Sequence, residues 1–346
     1  MTQPKSPFGF GKVIPLEDSL IARTKNQSAG SPDHSASPES PAASPHPESK
    51  PNKKATDSTA MFEPRAPRYK FEDLVLPDKV FKELDGLDSM VHNHELVYRD
   101  WGMNEIDPYG YQIAFNLYGP PGTGKTMIVE ALCNRWGILL IDVNLSQLES
   151  KYVGDTGKNI AAAFAAAKKN NAMLFFDEAD TVLGRRLSEV TQSADSSVNT
   201  ARGVMLKQLE QHSGLVAFAS NFAHNYDTAF VRRILKHIHV PLPDETSRLK
   251  LWEKKTPPRV PGRDAIDFSI LAKESEGFSG GDILVAVKNA LFDAANMQPA
   301  PILTNELIQN AIRNVRDAKE NIGTWGKSQT TIRTVSAEEA KKEGIL

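Results

Sequence analysis

Residues Tyr111 to Thr126 read YQIAFNLYGPPGTGKT. An apolar, aromatic run ends on glycine, and Gly119 to Thr126 then fit the pattern G-x-x-x-x-G-K-[ST]. The residues after it, Met127 to Trp136, read as an apolar helix. A strand, a glycine-rich turn and a helix opening on Lys-Thr form the arrangement in which backbone N–H groups wrap a phosphate and the helix N-terminus adds positive potential. Lys125 then reaches the β- and γ-phosphates, and the Thr126 hydroxyl is available to Mg²⁺. A chance glycine turn would not be expected to sit between such a strand and such a helix.

Outward from this stretch, four more short apolar runs follow: Gly137 to Leu145, Met173 to Asp180, Leu215 to Asn221 and His237 to Pro243. They are continuous, not alternating, which is the mark of strands buried on both faces of a parallel sheet. Helical patterns lie between them, such as GKNIAAAFAAAKK with Ile160 and Phe164 four apart. The fold class expected is α/β, a doubly wound parallel sheet of the P-loop NTPase type over residues 67–243. After Pro243 the strand runs stop and four helical patterns succeed one another, so a small all-helical domain is expected over 244–323, then a polar tail over 324–346.

Fifty-two residues beyond Lys125, four apolar residues run into Asp177-Glu178. Carboxylates at that end of a strand stand at the sheet edge where ligands of such folds bind. Asp177 is expected to hold Mg²⁺ through its water shell, and Glu178 to polarise an attacking water. FASN ends the next strand on Asn221, placed to orient that water or sense the γ-phosphate. Arg232 and Arg233 precede the last strand; two adjacent arginines are usually a solvated face, but here they can reach the phosphate of a neighbouring subunit.

The bulk numbers narrow the function. A net charge of −2 in 346 residues gives no reason to expect nucleic acid or a membrane surface as partner. The single cysteine, Cys133, excludes an internal disulfide framework, fits a reducing cytosol and lies in an apolar helix as core. Neither a signal peptide nor a membrane-length apolar run is visible, so a cytoplasmic protein is expected. Residues 1–66 read as a disordered arm, because Ser28 to Pro51 are more than half Ser and Pro. Phe8, Phe10, Val13, Ile14 and Leu16 on that arm read equally as a floppy terminus or as a tethered docking motif for an adaptor.

Together, NLYGPPGTGKT, LFFDEAD, FASN, AFVRRI…HVPLPD and GFSGGDI resemble the AAA ATPases, in particular the single-ring, protein-remodelling group of spastin, katanin and bacterial stand-alone members. The resemblance covers Phe71 to Gly323. It implies a hexameric ring with ATP and Mg²⁺ between subunits and a protein substrate. Gly119, Pro120, Pro121, Gly122, Thr123, Gly124, Lys125, Thr126 and Met127 would form the Walker A segment, Asp177 and Glu178 Walker B, and Asn221 sensor 1. Arg232 and Arg233 would be arginine fingers acting in trans. Gly280 and Gly281 would allow close approach to the adenine. A sensor-2 arginine is absent at the start of that helix. Lys151, Tyr152, Val153 and Gly154 would be the first pore loop, gripping an extended polypeptide through the aromatic ring, and residues 184–203 would include a second.

Two other readings compete with remodelling. One is an assembly chaperone or regulatory switch in which ATP state alone changes partner binding; the other is a nucleic-acid motor. DEAD at 177–180 suggests a helicase, but the chain after it is too short and too helical for a second RecA-like domain. His237 and His239 share a strand face but have no third ligand in sight, and His92 and His94 are read likewise as packing or surface residues.

Overall fold

The computed structural model describes residues 62–144, 156–184, 193–221 and 226–324. By internal contacts the chain divides into two compact units, at Pro243 and Asp244.

The first unit is built on a five-stranded sheet: β1 (Ile113–Tyr118), β2 (Leu139–Asn144), β3 (Ala172–Asp177), β4 (Leu215–Ser220) and β5 (Lys236–His239). Their order is β2-β3-β4-β1-β5, and every pairing is parallel. Successive side chains in each strand go to opposite faces. Ile113, Phe115 and Leu117 of β1 join a core with α1 (Asp78–His92) and α2 (Lys125–Trp136), through Val80, Leu84, Ile128 and Leu132. Ala114 faces the other core, with Ile160 and Phe164 of α3 (Thr156–Asn170) and Met205 and Leu209 of α4 (Ser193–Gln211). The sheet is thus covered on both sides, and that is why its strands carry unbroken apolar runs. The short helical turns Phe71–Asp73, Leu96–Asp100, Met103–Ile106, Asp180–Leu183 and Thr228–Val231 also belong to the unit.

Phe62 to Ala66 depart from the expected arm. Phe62 is 6% exposed and packs in the α3/α4 core. Arg65 makes an antiparallel bridge to Leu140 on the free edge of β2, with N–H···O distances of 2.8 and 2.9 Å. The Arg65 guanidinium also meets Glu130 at 2.8 Å and Asp142, while the Arg68 N–H donates to Glu130 at 2.7 Å. One buried aromatic and one paired arginine fix a segment whose composition alone gives no helix or strand.

The second unit contains α5 (Glu245–Lys255), α6 (Phe268–Glu274), α7 (Gly280–Ala295) and α8 (Asn305–Thr324). Trp252 is fully buried in it, its indole N–H donating to Ser275 Oγ at 2.9 Å. Ser279 and Asp282 form a reciprocal capping box that starts α7. No helix among the described residues is long and apolar enough to cross a membrane.

Candidate active site

β1 ends at Tyr118 and α2 begins at Lys125, so Gly119 to Gly124 must turn the chain sharply. Gly119 has φ 147, and a Cβ there would lie 2.2 Å from the Val240 carbonyl oxygen. Only glycine lets the loop base close on the end of the last strand. Gly124, the residue capping α2, is left-handed at φ 96. The first-turn N–H groups of α2 have no partner within the helix and are therefore available to an anion. Thr123 Oγ1 braces the loop by donating to the Pro120 carbonyl at 2.9 Å. Lys125 is buried, its ammonium donating to the carbonyls of Gly119 (2.8 Å) and Pro120 (2.9 Å). Burial is the main influence on that ammonium and pushes its pKa down; Asp177 and Asp180 act in the opposite sense.

The end of β3 closes over this loop. Thr126 Oγ1 donates to Asp177 Oδ2 at 3.1 Å, so the hydroxyl and carboxylate expected to share Mg²⁺ are adjacent. Asp177 Oδ1 accepts the N–H of Glu178 at 2.9 Å. Glu178 itself is left-handed, at φ 53, a conformation that costs a side-chain-bearing residue energy and concentrates at functional sites. Ala179 N–H then donates to the Ala219 carbonyl at 2.9 Å, tying the turn to β4.

Residues with no assigned role in the sequence hold this edge together. Asp180 accepts hydrogen bonds from the Ser220 hydroxyl and, at 3.2 Å, from the N–H of Asn221. Asn116, fully buried in the middle of β1, donates through Nδ2 to the Tyr226 hydroxyl at 3.2 Å. Burial raises the pKa of the Tyr226 phenol, while hydrogen bonds with Ser220 and Asn116 act against that rise. A continuous polar chain Asn116–Tyr226–Ser220–Asp180 therefore positions Asn221 and the acidic turn. Its one sequence signal is an asparagine inside an otherwise apolar strand.

Lys125, Thr126, Asp177, Glu178 and Asn221 are brought to one edge of the sheet. Arg232 and Arg233 lie elsewhere, in a cleft with Tyr98, Asp107 and Glu210 that no phosphate-loop residue lines. Arg232 is exposed, whereas Arg233 is held by its own chain: Nε donates to Glu210 at 2.9 Å and Nη1 to the Ala229 carbonyl at 3.0 Å. Gly280 and Gly281 open α7 in the second unit. Lys151, Tyr152, Val153 and Gly154 lie outside the described residues, as do residues 185–192 within the expected second pore loop.

The histidines behave as packing or surface groups. His94 stacks on Tyr98 at 4.6 Å, His239 stacks on Tyr118 at 5.1 Å, and His92 is exposed beside Asp88. Cys133 is fully buried. Among the described residues, no cluster of three His, Cys, Asp or Glu could hold a metal alone. The Thr126–Asp177 pair nevertheless fits Mg²⁺ of the kind that enters with a nucleotide and takes only one or two protein ligands. The side-chain-free backbone at Gly124, where a Cβ would meet nothing within 4 Å, beside the Lys125 ammonium, fits the phosphates themselves.

Residues 115–242 match the family described as ATPase family associated with various cellular activities (AAA). Similar curated proteins include the 26S proteasome subunit RPT4 of Saccharomyces cerevisiae, 34% identical over 215 residues, covering 60% of this chain and 48% of that protein. Protein SUPPRESSOR OF K(+) TRANSPORT GROWTH DEFECT 1 of Arabidopsis thaliana is 32% identical over 183 residues, 52% of this chain and 42% of its own length. Spastin of Naegleria gruberi is 31% identical over 207 residues, 58% and 38% respectively. The chain spans less than half the length of each of these three relatives. With the parallel sheet, the phosphate loop on β1 and the acidic pair on β3, these matches identify an AAA ATPase domain of the P-loop α/β fold in this chain.

Proposed function

We propose that this protein hydrolyses ATP with Mg²⁺ and couples hydrolysis to remodelling of a protein substrate. The observation that carries the chemistry is the contact of Thr126 with Asp177 beside the Lys125 loop, with Glu178 next in the chain. ATP supplies the transferable phosphoryl group, and the protein's task is positioning and charge stabilisation. The loop N–H groups and Lys125 hold the phosphates, while Thr126 and Asp177 hold the metal. Glu178 takes a proton from the attacking water, and Asn221, fixed through Asp180, orients it.

In this reading the working form is a hexameric ring in the cytoplasm. Arg232, exposed on its own protomer, reaches the neighbouring subunit's site; Arg233 follows once it leaves Glu210. Gly280 and Gly281 lie near the adenine. Tyr152, flanked by Lys151, Val153 and Gly154, grips polypeptide in the central channel. The N-terminal arm engages an adaptor or the substrate.

A trap tests this. Glu178→Gln protein should bind ATP without turnover and retain a polypeptide through co-purification only when ATP is present. Adding Tyr152→Ala to the trap should abolish retention while leaving ATP bound. Retention indifferent to both ATP and Tyr152 would refute threading and leave nucleotide-dependent switching as the better account.

A further inference from the structure

His237 differs from the other histidines in what its ring holds. It lies in β5, in register with Asn116 of β1, and is half-buried near the Tyr226 ring, 6.3 Å between centroids. Burial is the main influence on the imidazole and pushes its pKa below the ordinary value, while a hydrogen bond with the backbone of Val231 acts in the opposite sense. The neutral ring carries one N–H, and a bond that favours the charged ring is one in which that N–H donates, here to the Val231 carbonyl. Nε2 is closed to solvent and has no hydrogen-bond partner among the described residues, so the donor is Nδ1. An apolar side chain in this place would leave no buried nitrogen unpaired. The imidazole is therefore explained by its other nitrogen.

That nitrogen acts on the arginine pair. Val231 ends the short turn Thr228–Val231, where carbonyls have no partner within the turn, and Arg232 follows it. The Val231 carbonyl and the Arg232 N–H belong to one planar peptide unit. The Thr228 carbonyl holds its N–H edge at 3.2 Å, and His237 holds its carbonyl edge. With both edges held the plane resists rotation, which sets the direction in which the Arg232 side chain leaves the backbone. The anchor is β5, paired with β1, and the end of β1 carries the phosphate loop.

We propose that His237 is a positioning residue for Arg232: its Nδ1–H ties the arginine turn to the central sheet, so that the guanidinium is presented to the neighbouring subunit in a fixed direction. This role rests on the action of Arg232 across a subunit boundary. Arg233 is set separately, by Glu210 and the Ala229 carbonyl. A small misplacement of a group far from the reacting atoms is enough to slow a positioned reaction, and one hydrogen bond from β5 removes that freedom from Arg232.

ATPase assays of the assembled full chain, with equilibrium ATP titrations beside them, test the role. His237→Leu should lower kcat about tenfold, the worth of one neutral hydrogen bond, and leave the Kd for ATP unchanged. His237→Asn, whose amide N–H stands near the place of Nδ1–H, should restore kcat; His237→Gln, whose amide reaches toward the place of Nε2, should not. Mixing supplies a readout that a merely structural role would not move. Lys125→Ala protomers lack a working site but carry intact arginines, so adding them should raise turnover at His237→Leu sites, as it should at Arg232→Ala sites. Rescue of Arg232→Ala without rescue of His237→Leu would overturn the role of His237 and leave the trans reading standing; failure to rescue Arg232→Ala would overturn both. Equal kcat in His237→Asn and His237→Gln would also overturn the proposal, and that comparison decides alone should His237→Leu not fold.

Discussion

Glu178→Gly and Glu178→Ala should fall in an unusual order of stability. Elsewhere in a folded chain alanine is the more stabilising of the two, because glycine has more freedom to lose on folding. At position 178 the backbone is left-handed, with φ 53. A Cβ in that region costs roughly 1–2 kcal/mol, while the added freedom of glycine in the unfolded chain returns about 0.4–1 kcal/mol. Both substitutions delete the same carboxylate, so every interaction of that group cancels in the comparison. The difference left is about 1 kcal/mol in favour of Glu178→Gly, roughly fivefold in the folding equilibrium. Native-state hydrogen exchange at the amides of β1 and β3 reads the α/β unit separately from the helical one. A Glu178→Ala chain as stable as Glu178→Gly, or more so, would refute a left-handed backbone here. Both variants should lack ATPase activity, and a more stable but inactive Glu178→Gly chain would mark strain retained for the sake of the carboxylate's position.

Lys125→Ala should lose nucleotide binding in an equilibrium titration, whereas Glu178→Gln should bind and fail only in turnover; appreciable ATPase activity in Glu178→Gln would remove Glu178 from its role. Arg232→Ala should lower ATPase activity by ~10³–10⁵ in the assembled protein, and mixing it with Lys125→Ala should restore some of that activity through composite sites; co-assembled mixtures no more active than either variant would end the trans assignment. Arg65→Ala should cost about 2–3 kcal/mol in urea denaturation, because Glu130 stays buried with one charge partner gone. Burial alone would raise the Glu130 pKa, but hydrogen bonds from Arg65 and the Arg68 N–H outweigh it and hold the carboxyl below its ordinary 4.5. That contribution is complete above pH 4.5 and fades as pH falls through the lower folded value, so wild type and Arg65→Ala should converge in acid. Removing residues 1–61 should leave the fold intact, and removing 1–68 should destabilise it by at least the Arg65→Ala increment, both read from the same denaturation curves.

The sheet was legible because parallel strands buried on both faces must be apolar throughout, and the phosphate loop because its spacing is dictated by backbone geometry. The strand limits were less so. The run expected over His237 to Pro243 pairs only over Lys236–His239, with Val240 adding one bond to Tyr118, since Pro241 and Pro243 have no N–H to donate. Phe62 and Arg65 were hidden at the end of a Ser/Pro-rich segment: two isolated anchors have no period to detect. The chain from Asn116 through Tyr226 and Ser220 to Asp180 was hidden for a different reason, namely that its members meet only after the sheet has brought β1 beside β4. Arg233 shows the converse limit. Its sequence position suggested a free cation, and only the packing of Glu210 from α4 reveals that the isolated protomer occupies it.

The bridge between Arg65 and Leu140 also decides how the sheet would respond to force. Tension on the chain ahead of Phe62 meets the buried Phe62 ring first and then a single antiparallel bridge on β2, an outer strand with β3 and β4 between it and β1. The two backbone hydrogen bonds of that bridge would break in succession, as in peeling, while the central strands carry little load. The Arg65–Glu130 pair would yield with them, releasing slack before the phosphate loop was disturbed. An arm pulled by a bound partner would thus lengthen by a few residues and leave the ATP chemistry running, a mechanical fuse located at the edge of the domain.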